Sequence, residues 1–269
     1  MKEDYLELCN DIRKLVFTMI TSNGAGHYAS AFSCVEILVA LYSGKVMNYR
    51  ESGRDYLECD RFIMSKGHAV TALYAVMVKM GIMPKELIET YCKSGSDLGA
   101  LASENNIYGI EGSGSLGHGL GYAGGIALNE KLEKKKNRVF VLLGDGECQE
   151  GSVWEAIMCI SSYKLNNITV IIDRNRLQAS DFTENIIEMN NMHAWWKAFG
   201  WDVCEVDGHN VDALIKELNK KSEYPKVIFA NTIKGKGVSF LENSPDWHNK
   251  KMNDEELKIA MEELRIGVR

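Results

Sequence analysis

Apolar residues recur at helical spacing over 5–20, at Leu8, Ile12, Leu15, Val16, Met19 and Ile20. That stripe predicts an amphipathic helix stopped by Ser22, Asn23 and Gly24. A second helix is predicted over 30–43, a short strand meeting a turn over 61–69, and a buried helix over 71–81 ended by glycine. Another helix is predicted over 84–94, with Pro84 at a first helical position. From residue 138 the pattern becomes regular. Apolar strands at 138–143, 168–173, 202–206 and 226–231 alternate with helical stretches at 151–165, about 190–199, 210–221 and 254–265. Strands alternating with helices mean βαβ units. The expected fold class is therefore α/β: a doubly wound, mostly parallel sheet with helices on both faces. No internal repeat and no linker interrupts the pattern, so a single domain over 1–269 is expected.

Between these elements, residues 94–125 are rich in Gly, Ser, Ala and Asn and run into the small-residue stretch "LGHGLGYAGGIALNEKL". A functional loop leading into a tightly packed helix fits this better than disorder. The charge run 131–138 reads as a solvated helix end. The composition, 45% apolar and 25% charged, is that of an ordinary globular core. A net charge of −6 argues against a nucleic-acid partner, and no apolar run is long enough for a bilayer. The acid-containing start "MKEDYLELCNDIRKL" lacks the apolar centre of a signal peptide. Seven scattered cysteines without a Cys-x-x-Cys pair read as reduced thiols, and a cytoplasmic location is expected.

The chemistry concentrates where the strand 138–143 runs into Gly144-Asp145-Gly146. In such sheets ligands sit at the carboxyl ends of strands. The next strand, 168–173, runs into "DRNRLQ", so Asp145 and Asn175 can converge on one crevice. A carboxylate oxygen, an amide oxygen and a backbone carbonyl are ligands for a hard cation such as magnesium, which takes phosphate oxygens to complete its shell. The glycines let an anion approach the backbone, and a helix starting near Gly151 adds a positive dipole end. Asp-Gly is also a common turn pair, and the tripeptide alone does not separate the two readings. It is neither a dinucleotide fingerprint nor a Walker loop.

Gly144-Asp145-Gly146, 28 intervening residues (147–174) and then Asn175 resemble the thiamine-diphosphate motif. Other segments agree in order: "GAGHYASAFSCVEILVALY", "DRFIMSKGHA", "GIEGSGSLGHGLGYAGGIAL", "GDGECQEGSVWEA" and "TIKGKGVSF…WH" each resemble a transketolase segment. The resemblance covers essentially the whole chain and implies the diphosphate-binding domain of a thiamine-diphosphate-binding fold. It lacks the pyrimidine-binding and C-terminal domains of that family, so the chain looks like the N-terminal subunit of a split transketolase. The implied reaction moves a two-carbon ketol unit from a ketose to an aldose, with thiamine diphosphate as the electron sink.

The resemblance further implies Asp145, Asn175 and the Leu177 carbonyl as metal ligands, for Mg2+ with Ca2+ or Mn2+ as alternatives. It places His68, Gly114, Ser115, Leu116, Gly144, Asp145, Gly146, Glu147 and Asn175 on the cofactor. His27, His68 and His248 match active-site histidines that donate, accept or shuttle protons, and His118 is a polar lining candidate. Glu150 matches a dimer-interface glutamate. His209 is expected to cap the turn before 210–221, and His193 to serve packing or subunit contact. The family's activating glutamate belongs to the missing domain, so an α2β2 assembly with a separate C-terminal subunit is expected, the chain alone being inactive.

Some positions depart from the family. Ala100-Leu101-Ala102 stands where Gly-His-Pro is usual, Asn249 replaces a glycine, and Ser115 replaces a proline. Leucine cannot bond a substrate hydroxyl, a loss worth roughly 1–3 kcal/mol. Either the substrate is a specialised sugar, such as a nucleotide-linked one, or His118 or a partner residue replaces the contact. A thiamine-dependent 2-oxo acid decarboxylase or acyloin-forming subunit, and a non-catalytic cofactor-binding subunit, are the competing functions.

Overall fold

Five parallel strands form the centre of the computed structural model, which describes residues 4–49, 56–102, 110–112 and 114–267. They are β1 (Arg61–Met64), β2 (Val139–Gly144), β3 (Ile168–Arg174), β4 (Asp202–Asp207) and β5 (Lys226–Asn231), in the spatial order β1-β2-β3-β5-β4. Because side chains alternate across a strand, the apolar runs feed two cores. Phe62, Met64, Phe140, Leu142, Ile171 and Ile228 point to one. Ile63, Val139, Val141, Leu143, Val170, Ile172 and Phe229 point to the other. Both faces of β1, β2, β3 and β5 are buried, which is why these four read as continuous apolar runs.

The first core is closed by α1 (Tyr5–Asn23), α2 (Tyr28–Phe32), α3 (Val35–Tyr42), α4 (Val70–Lys79), α9 (Val211–Leu218) and α10 (Asp254–Glu263). The second is closed by α5 (Gly119–Leu132), α6 (Gly151–Ser162) and α8 (Met192–Ala198), while α7 (Thr183–Ile186) is a single turn. Asp4 caps α1 through the N–H groups of Leu6 and Glu7, and Gly24 ends it at φ 67°. The charge run 131–138 begins in the last two residues of α5, turns at 133–134 and continues irregularly towards β2.

Three expectations need correction. The helix predicted over 30–43 is two helices. Ser33 donates to the Ser30 carbonyl and to Asp173, and the Arg13 guanidinium takes the Phe32 carbonyl at 3.0 Å, so the backbone breaks at 33–34. The helix predicted over 84–94 is a 3-10 segment, Lys85–Thr90, with Pro84 preceding it. Tyr91 turns extended, and the Cys92 N–H pairs with the Leu98 carbonyl at 2.8 Å, closing a loop instead of a further helical turn. His209 does not cap α9. Asn210 does, accepting the Ala213 N–H at 3.0 Å. His209 instead donates from Nδ1 to Glu36 at 2.9 Å and accepts the Ile233 N–H on Nε2 at 2.8 Å. His193 stacks on Phe229 with ring centroids 3.9 Å apart, a packing role.

Candidate active site

β2 and β3 run in register so that Gly144 lies beside Asp173, which brings the two following loops together. Asp145 is buried, accepting the Gly146 N–H at 2.8 Å on one oxygen and the Arg176 N–H on the other. Arg176 reaches it from a left-handed backbone, φ 63°. Asn175, also buried, accepts the Leu177 N–H on Oδ1 at 3.1 Å. Asp145, Asn175 and Leu177 share the lining of one cavity of about 240 Å³ with Lys66, His68, Leu116, Lys234 and His248. No group of three or more His, Cys, Asp or Glu side chains among the described residues could hold a metal by itself. A set of one carboxylate, one amide and one carbonyl fits a hard cation whose remaining ligands come from a bound anion. Burial first, and then the neighbouring Asp173 charge, push the Asp145 carboxyl up to about 6, a cost that a cation there would relieve.

Three imidazoles meet at the cavity: His68 and His248 line it, and His27, outside the lining, packs against both. His27 precedes α2, His68 lies in the 3-10 turn after β1, and His248 follows the 3-10 turn Pro245–Trp247. Their ring centroids form a triangle with sides of 5.3, 5.2 and 5.6 Å. Burial and the Lys234 and Lys66 ammonium groups hold His27 below its usual range. His68 is held well below it by burial, Lys66 and the other two rings, and His248 falls to about 4 through burial and Lys234. All three are therefore held neutral near pH 7. Lys234 donates to His248 Nδ1 at 3.1 Å, leaving the ring proton on Nε2. His27 Nδ1 is buried with no hydrogen-bond partner among the described residues, as a ring nitrogen awaiting a ligand hydroxyl would be.

A family model described as the transketolase thiamine-diphosphate-binding domain matches residues 5–267. This chain belongs to the transketolase family. It is 37% identical over 256 residues to one subunit of the apulose-4-phosphate transketolase of Actinobacillus succinogenes, covering 94% of this chain and 92% of that one. It is 35% identical to the SqwG subunit of the 6-deoxy-6-sulfo-D-fructose transketolase of Clostridium sp., covering 98% of each. Human transketolase matches at 38% identity over 91% of this chain, but this chain spans only 39% of the human one. The solved transketolase of Campylobacter jejuni superposes with a TM-score of 0.88 at 26% identity, covering 98% of this chain and 43% of that one.

Not every residue matched to the transketolase pattern reaches the cavity. Leu116 lines it, whereas Gly114 and Ser115 are exposed and outside its lining. Gly109 and Ser113 of the same loop lie outside the described residues. His118 is exposed, its Nδ1–H donating to the Leu116 carbonyl at 3.3 Å. Glu147 is buried and accepts the Ser65 hydroxyl, the Gly117 N–H at 3.0 Å and the Gly144 N–H at 3.1 Å, so it fastens the loop around Leu116 to β2. Gly117 sits at φ 84°, where a Cβ would lie 2.6 Å from Glu150. A Cβ at Gly144 would make only ordinary contacts, with Glu147 and Lys66 at 3.8 and 3.9 Å, but at Gly146 the gap is filled by Gln178, whose Cγ would meet a Cβ at 2.6 Å. Glu150 is exposed and lines the cavity rim.

Three site residues escaped the sequence reading. Lys66 is buried against Asp173, Asp173 is the last acid of an apolar strand, and Lys234 is buried with its ammonium donating to the Gln178 carbonyl at 2.8 Å. Burial and the Lys66 charge bring Lys234 down to about 8. Their signal was present: a charged residue inside or ending an apolar or Gly-rich run ("IID", "SKGH", "TIKGKG") must find a partner once buried.

Proposed function

We propose that this chain is the diphosphate-binding subunit of a two-chain transketolase that transfers a two-carbon ketol unit from a ketose to an aldose. One observation carries the reading: the hard-oxygen set of Asp145, Asn175 and Leu177 faces the same cavity as His68, His248 and Lys234, with His27 against both rings. Asp145, Asn175 and the Leu177 carbonyl would hold Mg2+, or Ca2+ or Mn2+, beside the diphosphate, with His68 and Lys234 near its charge. Bound thiamine diphosphate supplies the electron sink for carbon–carbon cleavage. His27, neutral at working pH with Nδ1 unpartnered, would take and return a proton of the sugar's hydroxyl, and His248 would donate its Nε2–H to a sugar oxygen.

The names of the relatives support a specialised sugar. Two act, by name, on apulose 4-phosphate and on 6-deoxy-6-sulfo-D-fructose, both bearing an anionic end. Leu101, exposed in a loop pinned to the Gly67 carbonyl by the Ala102 N–H at 3.0 Å, offers no polar contact beside His68. Those two relatives are themselves named as single subunits of larger enzymes. That supports a separate partner chain; in this proposal it carries the pyrimidine-binding and C-terminal domains, the assembly is α2β2 in the cytoplasm, and residues 1–269 form one domain. The test is ketol transfer by the purified chain, alone and with its partner, from apulose 4-phosphate, 6-deoxy-6-sulfo-D-fructose and an unmodified ketose phosphate. Transfer only with the partner, thiamine diphosphate and Mg2+ is expected. Transfer by the chain alone, or none from any ketose in a complex that binds cofactor, would sink the proposal.

A further inference from the structure

Asp173 is fully buried at the end of β3, and its carboxylate gathers four donors from four parts of the chain. The Ser33 hydroxyl reaches it at 2.6 Å from the break between α2 and α3. The Lys66 ammonium comes from the turn after β1, two residues before His68. The Thr232 hydroxyl comes from the segment after β5, two residues before Lys234. The fourth donor is the side-chain amide of Asn175, Nδ2 to Asp173 Oδ2 at 3.3 Å.

The fourth contact matters most for chemistry. The two ends of a carboxamide are nearly equal in size, so only its partners decide which end is oxygen. Here the NH2 end meets a carboxylate and the oxygen end meets the Leu177 N–H. Turning the amide over would set oxygen against carboxylate and NH2 against N–H, both unfavourable. A cation accepts only the oxygen.

We propose that Asp173 is a positioning residue for the metal site, locking the Asn175 amide so that its oxygen is the end offered to the cation. The other three bonds hold Asp173 itself in place and tie that lock to the segments carrying His68 and Lys234. This inference rests on the reading of Asp145 and Asn175 as metal ligands.

The experiment is calorimetric titration of thiamine diphosphate, at stepped Mg2+ concentrations, into the complex of this chain with its partner, reading the half-saturating Mg2+. Wild-type binding must depend on Mg2+ and be lost in Asp145→Asn; failure of either overturns the metal reading, and the inference with it. With that reading intact, Asp173→Asn is expected to raise the Mg2+ requirement about 10- to 100-fold, as loss of a ligand-orienting partner does. Ser33→Ala and Thr232→Val, which leave the Asn175 bond in place, are expected to shift it little. Equal shifts in all three variants, or none in Asp173→Asn, would overturn the inference.

Asp173→Asn strands the Lys66 ammonium, so a second variant guards against loss of folding. Asn175→Asp supplies a charged, harder ligand and would tighten Mg2+ binding if Asp173 were a bystander. The inference expects the opposite, weaker Mg2+ binding caused by two facing carboxylates, with recovery in the exchanged pair Asp173→Asn with Asn175→Asp. Tighter Mg2+ binding in Asn175→Asp alone would refute it.

Discussion

Glu147 joins three chain segments with one carboxylate, taking donors from Ser65, Gly117 and Gly144. Glutamine keeps the shape but exchanges one acceptor for a donor, so one buried donor loses its partner. Glu147→Gln is therefore expected to destabilise the fold by roughly 1–3 kcal/mol, seen in urea denaturation, and to weaken cofactor binding by loosening the loop around Leu116. Gly117→Ala acts on the same loop from the other side. Its φ of 84° and the Cβ position 2.6 Å from Glu150 leave no room, and a loss of more than about 1 kcal/mol is expected, measurable in the same denaturation series. Asp145 differs in kind from both. Asp145→Asn keeps its size, and Mg2+-dependent cofactor binding is expected to vanish from calorimetry while circular dichroism stays native.

Elements are tied together by a second buried network. The Arg13 guanidinium of α1 grips Glu36 of α3 through both oxygens at 2.8 Å, and His209, in the turn before α9, donates to the same carboxylate. Burial works against the Glu36 charge, but the bonds from His209 and Arg13 overcome it and hold the carboxyl at about 2. The folded-state pKa is depressed, so this stabilisation is complete above the unfolded value near 4.5 and is lost as pH falls towards 2. The difference corresponds to roughly 3 kcal/mol. Urea denaturation between pH 5 and 2.5 is expected to show this decline in wild type and a flatter profile in Glu36→Gln.

The same network shows where sequence reading stops. Strands 138–143, 168–173 and 226–231 were legible because both faces are buried and the apolar runs are unbroken. The break at 33–34 was not, because Ser33 bonds to a residue 140 positions away. His209 looked like a cap for the same reason: its partners, Glu36 and Ile233, come from other parts of the chain. That the loops after β2 and β3 meet was legible in the sequence, since Asp145 and Asn175 each directly follow a strand. The charges that hold these loops, Lys66 and Asp173, pair across 107 positions and leave no periodic trace.

Across the whole molecule, the site draws on the segments following β1, β2, β3 and β5, which are consecutive in the sheet. Among the described residues no helix is long and apolar enough to cross a membrane. β4 stands apart, an outer strand supplying nothing to the cavity lining. At the opposite margin, Ile63 of β1 is bridged by Glu111. β4 is half exposed and carries Asp202, Glu205 and Asp207 within six residues. An open strand of this kind is a template on which another copy can add; Glu205 is engaged by Arg174 and Asn231, and the exposed Asp202 and Asp207 oppose such addition by facing like charges when two copies meet. Colloidal behaviour is thus written into a strand remote from the chemistry. Neutralising Asp202 and Asp207 with asparagine is expected to produce concentration-dependent light scattering at neutral pH, while the cofactor cavity remains as it was.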